Sequence, residues 1–337
     1  MTIRFFKVRS AMLMLCAMLA AACGGSNEEV IIKTAAGVEL KAADIDRDPY
    51  ALLPEAQLVV VRTDAQAQFR SPFGQRLLQI VQSRLPLPPS ADFVPERDLD
   101  SLLVGVYSMQ GVDFAAVARG RFKLEAIQKA ADGVTQTPLG APLVKSEYAG
   151  RTLYTVGNVG FTLLTPNTAL YGNETGMRRA LDRIARGALD RRIPQWMESF
   201  LKAQSAPIAA GLDFTQAEGM AFADSMAQTR GLSTATAVGD FAAPGMNLAG
   251  RLGYRSPEAA VASAQSILAL QQRIQSFAWL TSLMGMGNPI QRLQLTPSGN
   301  TVDFQLSVQG GVVSQLIEQL AAAVGAPPAR VQATSGG

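Results

Sequence analysis

The feature of this chain that most constrains its fold is an order of short apolar segments that occurs twice between residues 51 and 325. Each time, a strand-like segment is followed by a helix-like segment, a pair of strands, a second helix, further strands and a closing helix. Strands paired in hairpins with helices between them are typical of antiparallel sheets covered by helices. The sequence therefore predicts an α+β fold with two similar halves and favours an internal duplication.

The first half is predicted at residues 51–190, and its elements follow from local patterns. Pro72 stands in the first turn of a predicted helix whose apolar residues lie on one face, and Gly133 stops a second helix. Strands are predicted at residues 57–63, 101–108, 114–122, 143–148, 152–156, 160–164 and 169–171, and helices at 71–84, 124–131 and 174–186.

The second half is predicted at residues 206–325, and residues 191–205 before it read as an amphipathic connecting helix. Ser256 and Pro257 are typical of the start of a long helix. The remaining chain, residues 326–337, reads as a disordered tail. Strands are predicted at residues 207–213, 232–240, 246–254, 290–295 and 301–308, and helices at 216–226, 256–284 and 312–324.

Two short echoes support the duplication. The segment Gly120-Arg121-Phe122 ends a hairpin before a helix, and Gly250-Arg251-Leu252 ends its counterpart. The segments Leu164-Thr165-Pro166 and Leu295-Thr296-Pro297 both lead into turns between late strands. The alternative is that short strands and proline turns recur by chance in an α+β protein.

The first 22 residues have the parts of an export signal. Arg4, Lys7 and Arg9 form a positive start without an acid, a short apolar run follows over residues 10–19, and small residues lead to Ala22. The apolar run is shorter than the roughly 20 residues that a membrane-spanning helix needs. We expect cleavage between Ala22 and Cys23.

The order Leu19-Ala20-Ala21-Ala22-Cys23 resembles the lipobox of bacterial lipoproteins. This resemblance covers about 25 residues and implies that Cys23 is lipidated and holds residues 23–50 as a membrane tether. In this pattern leucine usually stands three positions before the cysteine, where this chain has Ala20. Gly24, rather than aspartate, implies the outer membrane, facing the periplasm. The alternative is an ordinary signal that leaves a soluble protein with a free thiol.

Charge and the missing histidine exclude several classes of function. The signal removes three of the 30 basic residues, which leaves 27 against 27 acidic residues and no basic field for nucleic acid. The chain has no histidine, so Ser-His-Asp, Cys-His and ordinary zinc, copper or non-haem iron sites are excluded. We expect that the protein is not an enzyme and that it has no catalytic residue, metal or cofactor. A hydrolase that uses carboxylates or a Ser-Lys pair is the remaining catalytic alternative.

Two acidic clusters are candidate sites. Asp44, Asp46, Asp48 and Glu55 have the spacing of a calcium loop, but Pro49 replaces the glycine that such a loop requires, which favours a solvated turn. Glu96, Asp98 and Asp100 similarly read as a solvated loop in which Arg97 supplies the counter-charge.

An apolar, methionine-rich segment supplies the candidate ligand or partner surface, because methionine and aromatic side chains make adaptable apolar surfaces. Its alternative is plain core burial. The sequence thus favours a membrane-anchored envelope lipoprotein with a non-catalytic binding or scaffolding domain for a protein partner, or else a carrier of an apolar or lipid ligand. The candidate residues are Phe277, Trp279, Leu283, Met284 and Met286.

Overall fold

The computed structural model describes residues 32–33, 37, 39–84, 87–108, 113–137, 140–276 and 289–323. Two short strands pair near the N-terminus, and twelve more form one large sheet. The strands are β1 Ile32–Lys33, β2 Glu39–Leu40, β3 Val59–Asp64, β4 Leu99–Ser108, β5 Asp113–Gly120, β6 Leu143–Tyr148, β7 Arg151–Val156, β8 Val159–Thr165, β9 Thr168–Asn173, β10 Ile208–Asp213, β11 Leu232–Asp240, β12 Gly245–Tyr254, β13 Ile290–Ser298 and β14 Thr301–Gln309.

Helices connect these strands and pack on the sheet. Two short 3₁₀ helices, Pro49–Leu52 and Pro89–Ala91, add to them. No helix in the described ranges is both long and apolar enough to cross a membrane. The α-helices are α1 Ala42–Arg47, α2 Ala65–Arg70, α3 Gly74–Arg84, α4 Pro95–Asp98, α5 Leu124–Asp132, α6 Glu174–Ala185, α7 Gln195–Ala203, α8 Ala217–Asp224, α9 Pro257–Ser276 and α10 Gly310–Ala323.

The two halves share one antiparallel sheet, with strand order β13-β14-β12-β11-β10-β3-β4-β5-β9-β8-β7-β6. The halves meet where β10 pairs with β3, with Ala210 opposite Val61. The backbone hydrogen bonds of the sheet therefore run from one half into the other without a break.

The strand order confirms the two-half α+β architecture. From the centre outwards, the first half runs β3-β4-β5-β9-β8 and the second runs β10-β11-β12-β14-β13, with the same connections in the chain. The first half differs by one additional hairpin, β6 and β7, which continues the sheet beyond β8. The second half has no described strand beyond β13.

The sheet has two faces, which are covered differently. On one face, which we name face A, Leu103 and Val117 pack with residues of α1, α6 and α7. On the opposite face, which we name face B, Leu102 and Ala118 pack with residues of α2 and α5. In the second half, α8, α9 and α10 all pack on face B. On face A, Val238 of β11 packs against the cluster that includes α7, whereas face A of β12, β14 and β13 carries no helix from the described residues.

Several predicted boundaries needed correction. The predicted helix at 71–84 begins at Gly74, and the separate helix α2 precedes it. The first turn of α2 is capped by the Asp64 carboxylate, which accepts a 2.9 Å hydrogen bond from the N–H of Ala67. The predicted strand at 114–122 ends at Gly120, since the N–H groups of Gly120 and Phe122 bond the carbonyls of Asn167 and Pro166.

The acidic turn before the first half is helical. Residues 42–47 form α1 and residues 49–52 form a 3₁₀ helix, whose first turn is capped by Asp48. The signal, Ala22, Cys23, residues 324–337 and the segment that contains Phe277 lie outside the described residues.

Candidate functional site

A cavity of about 220 Å³ lies in the first half, between face B of the sheet and the segments that cover it. Its floor comes from β4, β5, β8 and β9, and its cover comes from α3, α5 and the chain around the second 3₁₀ helix. The floor residues are Leu99, Leu102, Ala118, Phe161, Leu163, Ala169 and Tyr171, and the covering residues are Ile80, Val81, Leu87, Phe93, Phe122 and Ile127.

Two neighbouring alanines explain why the floor is hollow. Ala118 of β5 lies directly opposite Ala169 of β9. The next partners outwards are Leu102 on β4 and Leu163 on β8. Residues opposite each other on neighbouring strands point to the same face. The side chains along this row are therefore leucine, alanine, alanine and leucine. The two alanine methyl groups leave a depression between the two leucines.

Aromatic pairs form part of the wall. The rings of Phe93 and Phe122 are stacked with centroids 5.8 Å apart and planes at 25°. Phe161 is stacked in the same way on Tyr154, with centroids 5.1 Å apart. Such aromatic pairs are worth about 0.5–1.5 kcal/mol beyond the area they bury.

The lining determines what the cavity can bind. Twelve of its thirteen side chains are hydrocarbon, and Tyr171 contributes the remaining one. None of these described residues carries a carboxylate or an amine, so the lining contains no charged group for acid–base chemistry. An apolar cavity of about 150 Å³ already binds a benzene molecule in another protein. This cavity is suited to an apolar group of at least that size.

Charged residues lie next to the covering residues Phe93 and Phe122 in the chain, and they form ion pairs with one another. The guanidinium of Arg97 donates two 2.7 Å hydrogen bonds to the carboxylate of Asp98, and Lys123 pairs with Asp92. Burial alone would raise the pKa of Asp98, but the bonds from Arg97 and the Val94 N–H outweigh it and hold the pKa below its usual value. The expectation of a solvated loop is therefore wrong for Asp98, which is buried.

The acids that have the spacing of a calcium loop bind different partners in the structure. Asp46 accepts hydrogen bonds from Thr165, Thr168 and Asn167. Asp44 pairs with Arg47, three residues along its own helix. Within the described ranges, no group of three or more histidine, cysteine or acidic residues is arranged to hold a metal ion.

The sequence did not identify the cavity. Its candidates Cys23, Phe277, Trp279, Leu283, Met284 and Met286 lie outside the described residues, so their roles stay predictions. The alanines at 118 and 169 are separated by four elements in the chain. Only the pairing of β5 with β9 brings them together, and a single sequence has no local signal for that pairing.

Comparisons with known proteins give a distant structural likeness. No protein-family model matches the chain, and no curated protein matches it. Crystal form I of TP0453 has a TM-score of 0.49 at 10% sequence identity, covering 81% of this chain and 97% of that one. Crystal form III has a TM-score of 0.48 at 10% identity, covering 80% and 98%. Crystal form IV has a TM-score of 0.47 at 10% identity, covering 80% and 96%.

Proposed function

We propose that this chain is a lipid-anchored protein of the cell envelope whose domain binds a hydrocarbon chain in the cavity of the first half and performs no catalysis. The observation that carries the proposal is the lining of that cavity, which is almost entirely hydrocarbon over about 220 Å³. Of the two binding hypotheses from the sequence, a carrier of an apolar ligand and a scaffold for a protein partner, the cavity favours the carrier.

The chemistry of the lining limits the buried part of the ligand. Each buried CH₂ group contributes about 0.8 kcal/mol when it leaves water. A hydroxyl or amide buried here without a partner would cost at least about 1–3 kcal/mol. The buried part is therefore an aliphatic chain, and any polar head group stays outside the cavity.

The anchor part of the proposal rests on the sequence. The lipobox-like order ends at Cys23, and the first strand of the described structure, β1, begins at Ile32. A fully extended chain spans at most about 3.3–3.6 Å per residue. The chain between Cys23 and Ile32 would thus allow the domain a reach of roughly 30 Å from an outer-membrane surface.

Ligand binding is tested with a medium-chain fatty acid, decanoate, as the probe. We expect decanoate to displace an environment-sensitive fluorescent fatty acid from the purified domain. Ala169→Leu places a larger side chain in the floor of the cavity and should weaken decanoate binding at least about tenfold, a change of about 1.4 kcal/mol. Ala249→Leu, on face A of the second half, is the matched control and should bind decanoate like the wild type.

Two results would contradict ligand binding. One is the absence of displacement by decanoate at any concentration below its micelle-forming range. The other is equal affinity in the wild type and Ala169→Leu, provided that circular dichroism shows both to be folded.

Anchoring is tested separately by intact mass and membrane fractionation of the full chain and its Cys23→Ser variant. We expect a mature mass that begins at Cys23 and includes diacylglyceryl and acyl groups, and we expect the variant to lose both the modification and the membrane association. An unmodified wild type in the soluble fraction would overturn the anchor and leave the cavity proposal standing.

A further inference from the structure

A second concave site lies on face A of the second half, on the opposite side of the sheet from the apolar cavity. It is a groove of about 290 Å³ across β11, β12, β14 and β13, bounded on one side by Ala206, which follows α7. We name it the polar groove. The side chains that could contact a ligand there include Asp240, Asn247, Ala249, Arg292, Gln305 and Ser307.

The register places the polar groove on the opposite face from the cavity. Val238 lies opposite Ala209, Ala209 opposite Arg62, and Arg62 opposite Leu103. Leu103 belongs to the core on face A, whereas the cavity is floored by its neighbour Leu102. The polar groove and the cavity are therefore separate sites.

One row of side chains crosses four strands in the polar groove. Asp240, Asn247, Ser307 and Arg292 are successive cross-strand partners. The Ser307 hydroxyl donates a 2.8 Å hydrogen bond to Asn247 Oδ1, and Asn247 Nδ2 donates a 3.0 Å bond to Asp240 Oδ1. These bonds fix the middle of the row.

At one end of the row, only one of the two carboxylate oxygens of Asp240 accepts hydrogen bonds. Asp240 Oδ1 accepts both from Asn247 and from the N–H of Ala242, at 3.2 Å. Among the described residues, no donor reaches Asp240 Oδ2 and no cation lies within ion-pair distance. A carboxylate oxygen is therefore free to accept from a ligand amine.

The cation at the other end is also unpaired. Arg292 donates to the neutral amide of Gln294, at 2.7 Å, and the described residues place no carboxylate within ion-pair distance of it. By contrast, Arg251 on the same face, two rows away, forms an ion pair with Asp303 at 2.6 Å. A guanidinium with free N–H groups binds a carboxylate in a two-pronged geometry.

The middle of the polar groove suits an amide. Ala249 provides a small floor, and its cross-strand partner Gln305 presents an exposed carboxamide, which both donates and accepts. Among its described lining residues none is aromatic, so the groove lacks the stacking surface on which a sugar ring would rest.

We propose that the polar groove binds a short peptide with free termini, its amino group at Asp240, its carboxylate at Arg292 and an internal amide at Gln305. Strands lie about 4.8 Å apart, so the row spans roughly 14 Å between its outer backbones. An extended peptide covers about 3.3–3.6 Å per residue, which matches about four residues. This proposal is independent of both the lipid anchor and the apolar cavity.

The test is calorimetric titration of the folded domain with tetra-alanine, compared with forms that carry an acetylated amino end or an amidated carboxyl end. We expect tetra-alanine to bind and each blocked form to bind at least about fivefold more weakly. Asp240→Asn, which keeps an acceptor for Ala242, should weaken tetra-alanine and abolish the effect of acetylation. Arg292→Gln should weaken it and abolish the effect of amidation.

Control variants separate a specific site from a general effect of charge. Arg251→Gln removes an arginine from the same face and should leave binding unchanged, and Ala169→Leu in the apolar cavity should do the same. Ala249→Leu raises the floor and should abolish binding while circular dichroism stays native. The proposal is overturned if tetra-alanine does not bind, if either blocked form binds as well as tetra-alanine, or if Arg251→Gln weakens binding as much as Arg292→Gln. Binding of a maltooligosaccharide in place of the peptide would also overturn it.

Discussion

Thr165 and Asp46 lie 119 residues apart in the chain, and the Thr165 hydroxyl donates a 2.5 Å hydrogen bond to Asp46 Oδ1. The Thr168 hydroxyl and the Asn167 amide donate to the same carboxylate, at 2.6 and 3.0 Å. One side chain of α1 therefore collects the donors of the turn between β8 and β9. This contact fixes the segment that leads from the N-terminus onto the first half of the sheet.

We expect Asp46→Ala to lower the free energy of unfolding by about 1.5–3 kcal/mol, because three donors lose a charged acceptor. Urea denaturation followed by circular dichroism measures the change. The matched control is Asp303→Ala, which removes an exposed ion pair with Arg251 and should cost no more than about 1 kcal/mol. Equal effects of the two substitutions would contradict the role given to Asp46.

The same carboxylate predicts a dependence on pH. Burial would raise the pKa of Asp46, but the bonds from Thr165, Thr168 and Asn167 and the charge of Arg119 hold the pKa below its ordinary value. Because the folded pKa is depressed, the stabilisation is complete above the unfolded pKa of about 3.9 and is lost as the pH falls through the folded value. The difference in stability between the wild type and Asp46→Asn should therefore shrink between neutral pH and pH of about 3. A constant difference in urea denaturation across that range would contradict this assignment.

The cavity makes a prediction about packing that is separate from ligand binding. In Ala169→Leu the added carbons enter the cavity, so we expect the free energy of unfolding to change by less than about 1 kcal/mol. Ala209 is the matched control, because it is fully buried on face A among packed side chains. Ala209→Leu should destabilise by about 1–3 kcal/mol through overpacking. Thermal unfolding of the two variants side by side distinguishes them, and equal losses would mean that the space beside Ala169 is already filled.

The halves and their hairpins could be predicted from local sequence, because each depends on neighbouring residues. The hairpin of β13 and β14 is one example, but its turn lies at Gly299 and Asn300, and Gly299 has a φ of 58° that favours glycine. Pro297, which was expected to lead into that turn, lies within β13. The continuous apolar run Leu58-Val59-Val60-Val61 likewise indicated β3. These features are local, and the structure confirms them.

The order of the strands could not be predicted in the same way. Strand β5 pairs with β9, although the hairpin of β6 and β7 lies between them in the chain. The two halves form one sheet only because β3 pairs with β10. Such pairings are decided by tertiary packing rather than by the propensity of either strand. The apolar cavity and the polar groove both depend on this order, so the sequence alone did not reveal them.

A glycine in β10 gives the last prediction, about the helix that connects the halves. A Cβ atom at Gly211 would lie inside van der Waals contact of Met197, the fully buried methionine of α7. The helix thus packs directly on the backbone of β10.

We expect Gly211→Ala to lower the free energy of unfolding by about 1–3 kcal/mol through overpacking, and Met197→Ala to lower it by about 2–5 kcal/mol through the lost methionine side chain. Because the smaller side chain makes room for the new methyl group, the double variant should be more stable than the sum of the two losses predicts, by at least about 1 kcal/mol. A double-mutant cycle in urea measures this coupling, with Gly311→Ala as the control, since a Cβ there meets nothing within 4 Å. Additive losses to within about 0.5 kcal/mol would show that α7 does not rest on Gly211 in solution.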